Sequence, residues 1–129
     1  MKAKEIEEKF SFAMKPQAAI LNNKTSIWAI CEKGRDEMIG LCALLTNNEG
    51  DRELGYRFRV EYWGKGYGTE VTKGLIDFCF QNLKLDKITA DVNIENIASA
   101  KILNKFLTPV REFFNERDNC IDRRYELYA

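Results

Sequence analysis

Residues 61 to 70 read EYWGKGYGTE, with glycines at 64, 66 and 68 separated by one lysine and one tyrosine. Before this stretch, Leu54, Tyr56, Phe58 and Val60 alternate with Glu53, Arg57, Arg59 and Glu61, which predicts a strand with one buried and one charged face. After it, residues 69–83 contain no proline and carry Val71, Leu75, Ile76, Phe78, Cys79 and Leu83, as in a helix packed on a sheet. A strand that runs through closely spaced glycines into a helix presents backbone N–H groups, unobstructed by Cβ atoms, at the positive end of a helix dipole. That is a place for a phosphate. A glycine-rich turn that needs positive φ and binds nothing has the same composition.

Spacing removes two familiar phosphate loops. A GxGxxG pattern begun at Gly64 ends on Thr69, and one begun at Gly66 ends on Val71. No GxxxxGK[ST] is present.

Further out, Ile6, Phe10 and Met14 recur every four residues up to Pro16, which predicts an amphipathic helix over 2–15. Residues 25–32 and 38–45 read as strands joined by the turn Lys33-Gly34-Arg35-Asp36, and Asn47 to Gly50 forms the next turn. Ile88, Ala90 and Val92 alternate as a short strand. Asn96 then stands as an N-cap for a helix carrying Ala98, Ile102, Leu103 and Phe106 up to Pro109. Residues 110–115 and 122–128 close the chain as a hairpin.

The chain has 129 residues, 45% of them hydrophobic, and reads as a single domain over 1–129. Twenty basic and twenty acidic residues cancel, so no overall field points to nucleic acid or an anionic membrane. No apolar run approaches the roughly 20 residues that span a bilayer, and no signal-peptide core is visible; the expected location is cytoplasmic. The four cysteines are scattered and read as buried free thiols. Histidine is absent, which removes imidazole zinc sites and Ser-His or Cys-His nucleophiles, and no metal is expected. Proton transfer must then rest on carboxylates, hydroxyls, lysine or water.

Gly55-Tyr56-Arg57 and Tyr62 through Glu70 resemble motif A of the GNAT acetyltransferases, in the branch of the RimJ/RimL-type ribosomal-protein N-acetyltransferases. Asp91 through Leu103, with Asn96 followed three positions later by Ser99, is similar to that branch's second signature. The resemblance spans roughly residues 39–127 and implies an α+β, three-layer fold. Its sheet is mixed and mostly antiparallel, with helices on both faces and a splay between the fourth and fifth strands. The implied activity is direct transfer of acetyl from acetyl-CoA to a primary amine, on a protein N-terminus or a small molecule. An acetyl-CoA-binding sensor or interaction module without catalysis is the alternative.

By the same resemblance, the backbone of Phe58, Arg59 and Val60 would pair with the pantetheine arm, and an N–H near Val60 would polarise the thioester carbonyl. Lys65, Gly66, Tyr67, Gly68 and Thr69 would hold the pyrophosphate. Trp63 stands where the wider family has Gln or Arg. Asn96 has two compatible readings, helix cap and ligand to the CoA arm; Lys101 and Lys105 read as 3′-phosphate contacts or as a solvated face. The family's proton-donating tyrosine, seven residues after the Asn, is replaced by Leu103. Ser99 is the substitute the branch suggests, or a hydroxyl satisfied by the helix end. Glu53 is the suggested base, or a surface carboxylate paired with Arg52 or Arg57.

Two departures fall on the acceptor side. The usual first strand and helix are missing at the start, and Leu107-Thr108 replaces a Gly-Phe pair. Either the start is truncated, or residues 25–32 form an apolar sheet edge that a second protomer would cover, and a homodimer is expected.

Overall fold

The structure is a computed structural model and describes residues 12–16 and 26–129. The strands are β1 (Phe12–Pro16), β2 (Ser26–Glu32), β3 (Met38–Thr46), β4 (Arg52–Phe58), β5 (Lys87–Asn93), β6 (Thr108–Asn115) and β7 (Cys120–Tyr128), with helices α1 (Tyr67–Asp77) and α2 (Ile97–Phe106). One seven-stranded sheet runs in the order β1-β2-β3-β4-β5-β7-β6. Every neighbouring pair is antiparallel except β4 with β5.

The hairpins follow from local chemistry. Between β3 and β4, the Asn47 side-chain oxygen accepts from the N–H groups of Glu49 (2.9 Å) and Asp51 (3.0 Å), closing the turn from within. Across the sheet, Trp28 lies opposite Cys42 and Cys42 opposite Tyr56. A second row runs Leu44, Leu54, Ala90, Tyr125. Against these rows pack Val71, Leu75, Ile76 and Cys79 from α1 and its continuation, and Ala100 and Leu103 from α2. Burying a Leu, Ile or Val fully is worth about 1.5–3 kcal/mol each, so this one face carries the fold. Of the helices expected on both faces, α1 and α2 are those described, and they share the face of Tyr56.

β4 and β5 pair only at Glu53 with Thr89 and Leu54 with Ala90. Beyond that point Gly55 to Phe58 on β4 and Asp91 to Asn93 on β5 part, and a V-shaped gap opens towards the start of both helices.

Four expectations need correction. Phe12–Pro16 is a strand paired with β2, not the end of a helix; residues 2–11 of the expected helix lie outside the described residues. The fourfold apolar spacing was outweighed by the hydrogen-bonding partners that β2 offers, and an edge strand tolerates Pro16. β2 is therefore an inner strand, so the bare edge expected at residues 25–32 does not exist, and with it goes the stated ground for a second protomer. Finally, β4 stops at Phe58, and Val60–Tyr62 form a single 3₁₀ turn. Helix α1 also ends earlier than the expected helix, passing at Asp77 into a π-helical turn over Phe78–Asn82.

Candidate active site

The glycine stretch sits at the mouth of the gap. Gly64 (φ 75°) and Gly66 (φ 86°) occupy left-handed backbone, and Gly66 is the N-cap of α1. Residues with a Cβ resist that region by roughly 1–2 kcal/mol. Gly68 is required for a different reason: a Cβ there would lie 2.9 Å from Ile102 Cδ1 and 3.5 Å from the Tyr56 hydroxyl. Two glycines thus shape the turn, and the third lets α1, α2 and β4 meet.

The loop is braced by aromatic rings. Tyr67, the first residue of α1, stacks on Phe58 with centroids 6.0 Å apart, and its hydroxyl donates to Glu32 at 2.5 Å. That bond to a carboxylate, together with burial, pushes the Tyr67 phenol up to about 12. Lys65 lies over the Tyr62 ring at 5.1 Å. The Trp63 indole N–H donates to the Phe58 carbonyl at 2.9 Å.

A cleft of about 420 Å³ opens between this loop, the end of β4 and the start of α2. It gathers Phe58, Gly66, Tyr67, Gly68, Thr69, Asn96 and Ser99 from the positions expected of a donor site, and adds Tyr56. The Asn96 side chain accepts from the Ser99 N–H at 3.2 Å, so its capping role is realised. Arg59, Val60, Lys65 and Lys101 stand outside the lining. The Arg59 N–H is engaged by the Ile39 carbonyl (2.9 Å) and its guanidinium by Glu37 (3.3 Å). Val60 begins the 3₁₀ turn, where the first N–H has no partner within the turn.

Glu53 lies elsewhere, on the opposite face of the sheet. It lines a more polar cavity of about 940 Å³ with Asp91, Asp122 and Arg124. Arg124, only 6% exposed, holds Asp91 through two bonds, at 2.5 and 2.9 Å. Burial and the adjacent Asp91 carboxylate push the Glu53 carboxyl above the usual range, while Arg124 and Asn47 act the other way. The Asp91–Arg124 pair was not singled out from sequence, because only the register of β5 against β7 puts the two side by side. Tyr56 stands in the motif-A resemblance and on the inward face of its strand, and neither gives it a role of its own.

Among the described residues no group of three or more His, Cys, Asp or Glu is placed to hold a metal. No described helix is long and apolar enough to cross a membrane. Cys31, Cys42 and Cys79 are buried and Cys120 half-buried, all as free thiols.

Comparison with known proteins agrees with this geometry. The family model for the acetyltransferase (GNAT) domain matches residues 2–106. The uncharacterized N-acetyltransferase p20 of Bacillus licheniformis is 31% identical over 110 residues, covering 84% of this chain and 62% of that protein. The chain thus spans under two thirds of that relative's length. Among solved structures, RimJ of Mycobacterium smegmatis in complex with CoA-disulfide superposes with a TM-score of 0.72 at 19% identity, over 82% of this chain and 54% of that one. A chimera of the spermidine N-acetyltransferase SpeG of Vibrio cholerae gives 0.73 at 20% identity, over 99% and 77%. A family match across most of the chain, with the same fold in the solved relatives, makes this protein a member of the GNAT acetyltransferase domain family.

Proposed function

We propose that the cleft at the start of α1 and α2 binds acetyl-CoA, and that the chain passes its acetyl group to a primary amine by direct attack in a ternary complex. The observation that carries this reading is the head of α1: two left-handed glycines deliver its unpaired N–H groups to the mouth of the gap between two parallel strands. The pyrophosphate goes to that N-terminus, with the Thr69 hydroxyl and the Lys65 ammonium as side-chain donors. The pantetheine arm enters the gap, where the Val60 N–H is a donor to the thioester carbonyl.

The amine comes from the opposite face, where Glu53 accepts its proton directly or through water. Its raised pKa suits this role, since a base nearer neutrality gains driving force for proton transfer. Ser99, inside the donor cleft, supplies a proton to the departing sulfur. The acceptor class is a protein N-terminus or a small-molecule amine. A ribosomal-protein-S5-alanine acetyltransferase of Vibrio fischeri and the spermidine N-acetyltransferase SpeG share the fold, and their names give one acceptor from each class.

Thiol release from acetyl-CoA, measured against spermidine and against peptides with free N-terminal Ser or Ala, tests the reading. Turnover with one class and not the other assigns the acceptor. Saturable acetyl-CoA binding without turnover on any amine would replace catalysis with a binding role.

A further inference from the structure

The Tyr56 hydroxyl is a buried polar atom with no hydrogen-bond partner among the described residues. It lines the donor cleft, beside the Ser99 and Thr72 hydroxyls. Leaving a hydroxyl unbonded in such a place is costly, so a site that keeps one has a use for it when filled. Thr72 already donates its own proton to the Gly68 carbonyl at 2.8 Å. It can therefore accept from Tyr56, but has no proton left to give forward.

Ser99 differs. Its backbone N–H is taken by Asn96, and its side chain lies beside the Tyr56 hydroxyl and lines the cleft. From these placements we propose that Tyr56 is a positioning residue which donates to Ser99 Oγ and so turns the Ser99 proton towards the sulfur of bound CoA. This inference rests on the proposed reading of the cleft as the acetyl-CoA site.

The step balances. As the acceptor nitrogen bonds to the acetyl carbon, the C–S bond breaks and its electron pair stays on sulfur. Sulfur takes the Ser99 proton, Ser99 Oγ takes the Tyr56 proton, and the tyrosinate recovers one from water once product has left. The solvent gains the proton that the amine lost. Burial raises the Tyr56 phenol above its ordinary value and the two neighbouring hydroxyls offset this only in part, so the relay rests fully protonated at neutral pH. Gly68 lies against the same place, since a Cβ there would sit in van der Waals contact with the Tyr56 ring and hydroxyl, at 3.4 and 3.5 Å. The family's usual donor position is Leu103, which is buried in the core and carries no proton. Ser99, on the same helix as Leu103, is then the donor to sulfur, and Tyr56 on β4 stands behind it.

The test reads the pKa of the thiol of bound CoA, by its thiolate absorbance in the ultraviolet, and needs no acceptor. A hydrogen bond to a charged group corresponds to a shift of about one pH unit. Ser99→Ala is expected to raise the bound thiol by about that much, and Tyr56→Phe by about half as much. The double variant is expected to match Ser99→Ala alone, since Tyr56 acts through Ser99. Saturable CoA binding by Tyr56→Phe at low pH, where the thiol is neutral, reports an intact cleft. A bound thiol unchanged in Tyr56→Phe overturns the relay, and so do shifts that add in the double variant. Failure of wild-type protein to bind CoA overturns the acetyl-CoA reading itself, and the relay with it.

Discussion

Gly66 and Gly68 stand two residues apart in one motif, yet they are glycine for separate reasons, and substitution separates them. Gly66→Ala puts a Cβ on left-handed backbone and is expected to cost about 1–2 kcal/mol. Gly68→Ala is expected to cost about 1 kcal/mol, because the nearest atom is the mobile end of Ile102. Urea unfolding of both variants checks this, and Gly68→Ala also loses acetyl-CoA affinity as Ile102 and Tyr56 are displaced. Glu53 is the other residue with a decisive variant. Glu53→Gln is expected to lower turnover about 10²–10⁴-fold with acetyl-CoA affinity unchanged. In the wild type, kcat falls as pH drops through the raised Glu53 pKa. Stability moves in the opposite sense: a carboxyl raised in the folded state contributes stability below its unfolded pKa and loses it as pH climbs through the folded one. Glu53→Gln, which imitates the protonated form, should therefore be more stable than wild type at pH 8, with the difference shrinking towards pH 4. Equal melting temperatures at both pH values would mean that Glu53 is not perturbed.

At the scale of elements, the pairing of β5 with β7 sets the electrostatics of the acceptor face. Asp91 and Arg124 are brought opposite each other there and locked by two hydrogen bonds. Removing one member of a buried pair strands the other charge, so Arg124→Met is expected to cost about 3–5 kcal/mol. Because Arg124 also lowers the Glu53 pKa, the acid limb of the rate profile moves to higher pH in that variant, which a kcat–pH series measures. The strands and helices themselves were largely legible in the sequence. The alternation from Glu53, the turn at Asn47 and the cap at Asn96 each reflect contacts between near neighbours in the chain. Legibility failed where distant partners decide, as at residues 12–16, which became a strand because β2 lay open beside them; β4 ended at Phe58 because the next residues close into a 3₁₀ turn, the Tyr62 N–H bonding to the Arg59 carbonyl.

For the whole molecule, one parting of two parallel strands organises everything else. Gly66, Tyr67, Gly68, Thr69, Asn96 and Ser99, which the resemblance names, line one cleft at that gap. Glu53 and its partners collect on the other face, and neither Asp91 nor Arg124 carries any local mark of its role, since their meeting depends on register alone. Tyr56 was hidden for a related reason: an alternating strand shows which way a side chain points, but only packing shows that its hydroxyl lacks a partner. The measurement that bears most directly on the account is a thermal-shift titration of the protein with acetyl-CoA. Binding to the folded state alone predicts stabilisation of about 2.7 kcal/mol at a hundredfold excess over Kd, a saturable rise of several degrees in Tm that Gly66→Ala weakens. A melting temperature that does not move at millimolar acetyl-CoA would contradict the account.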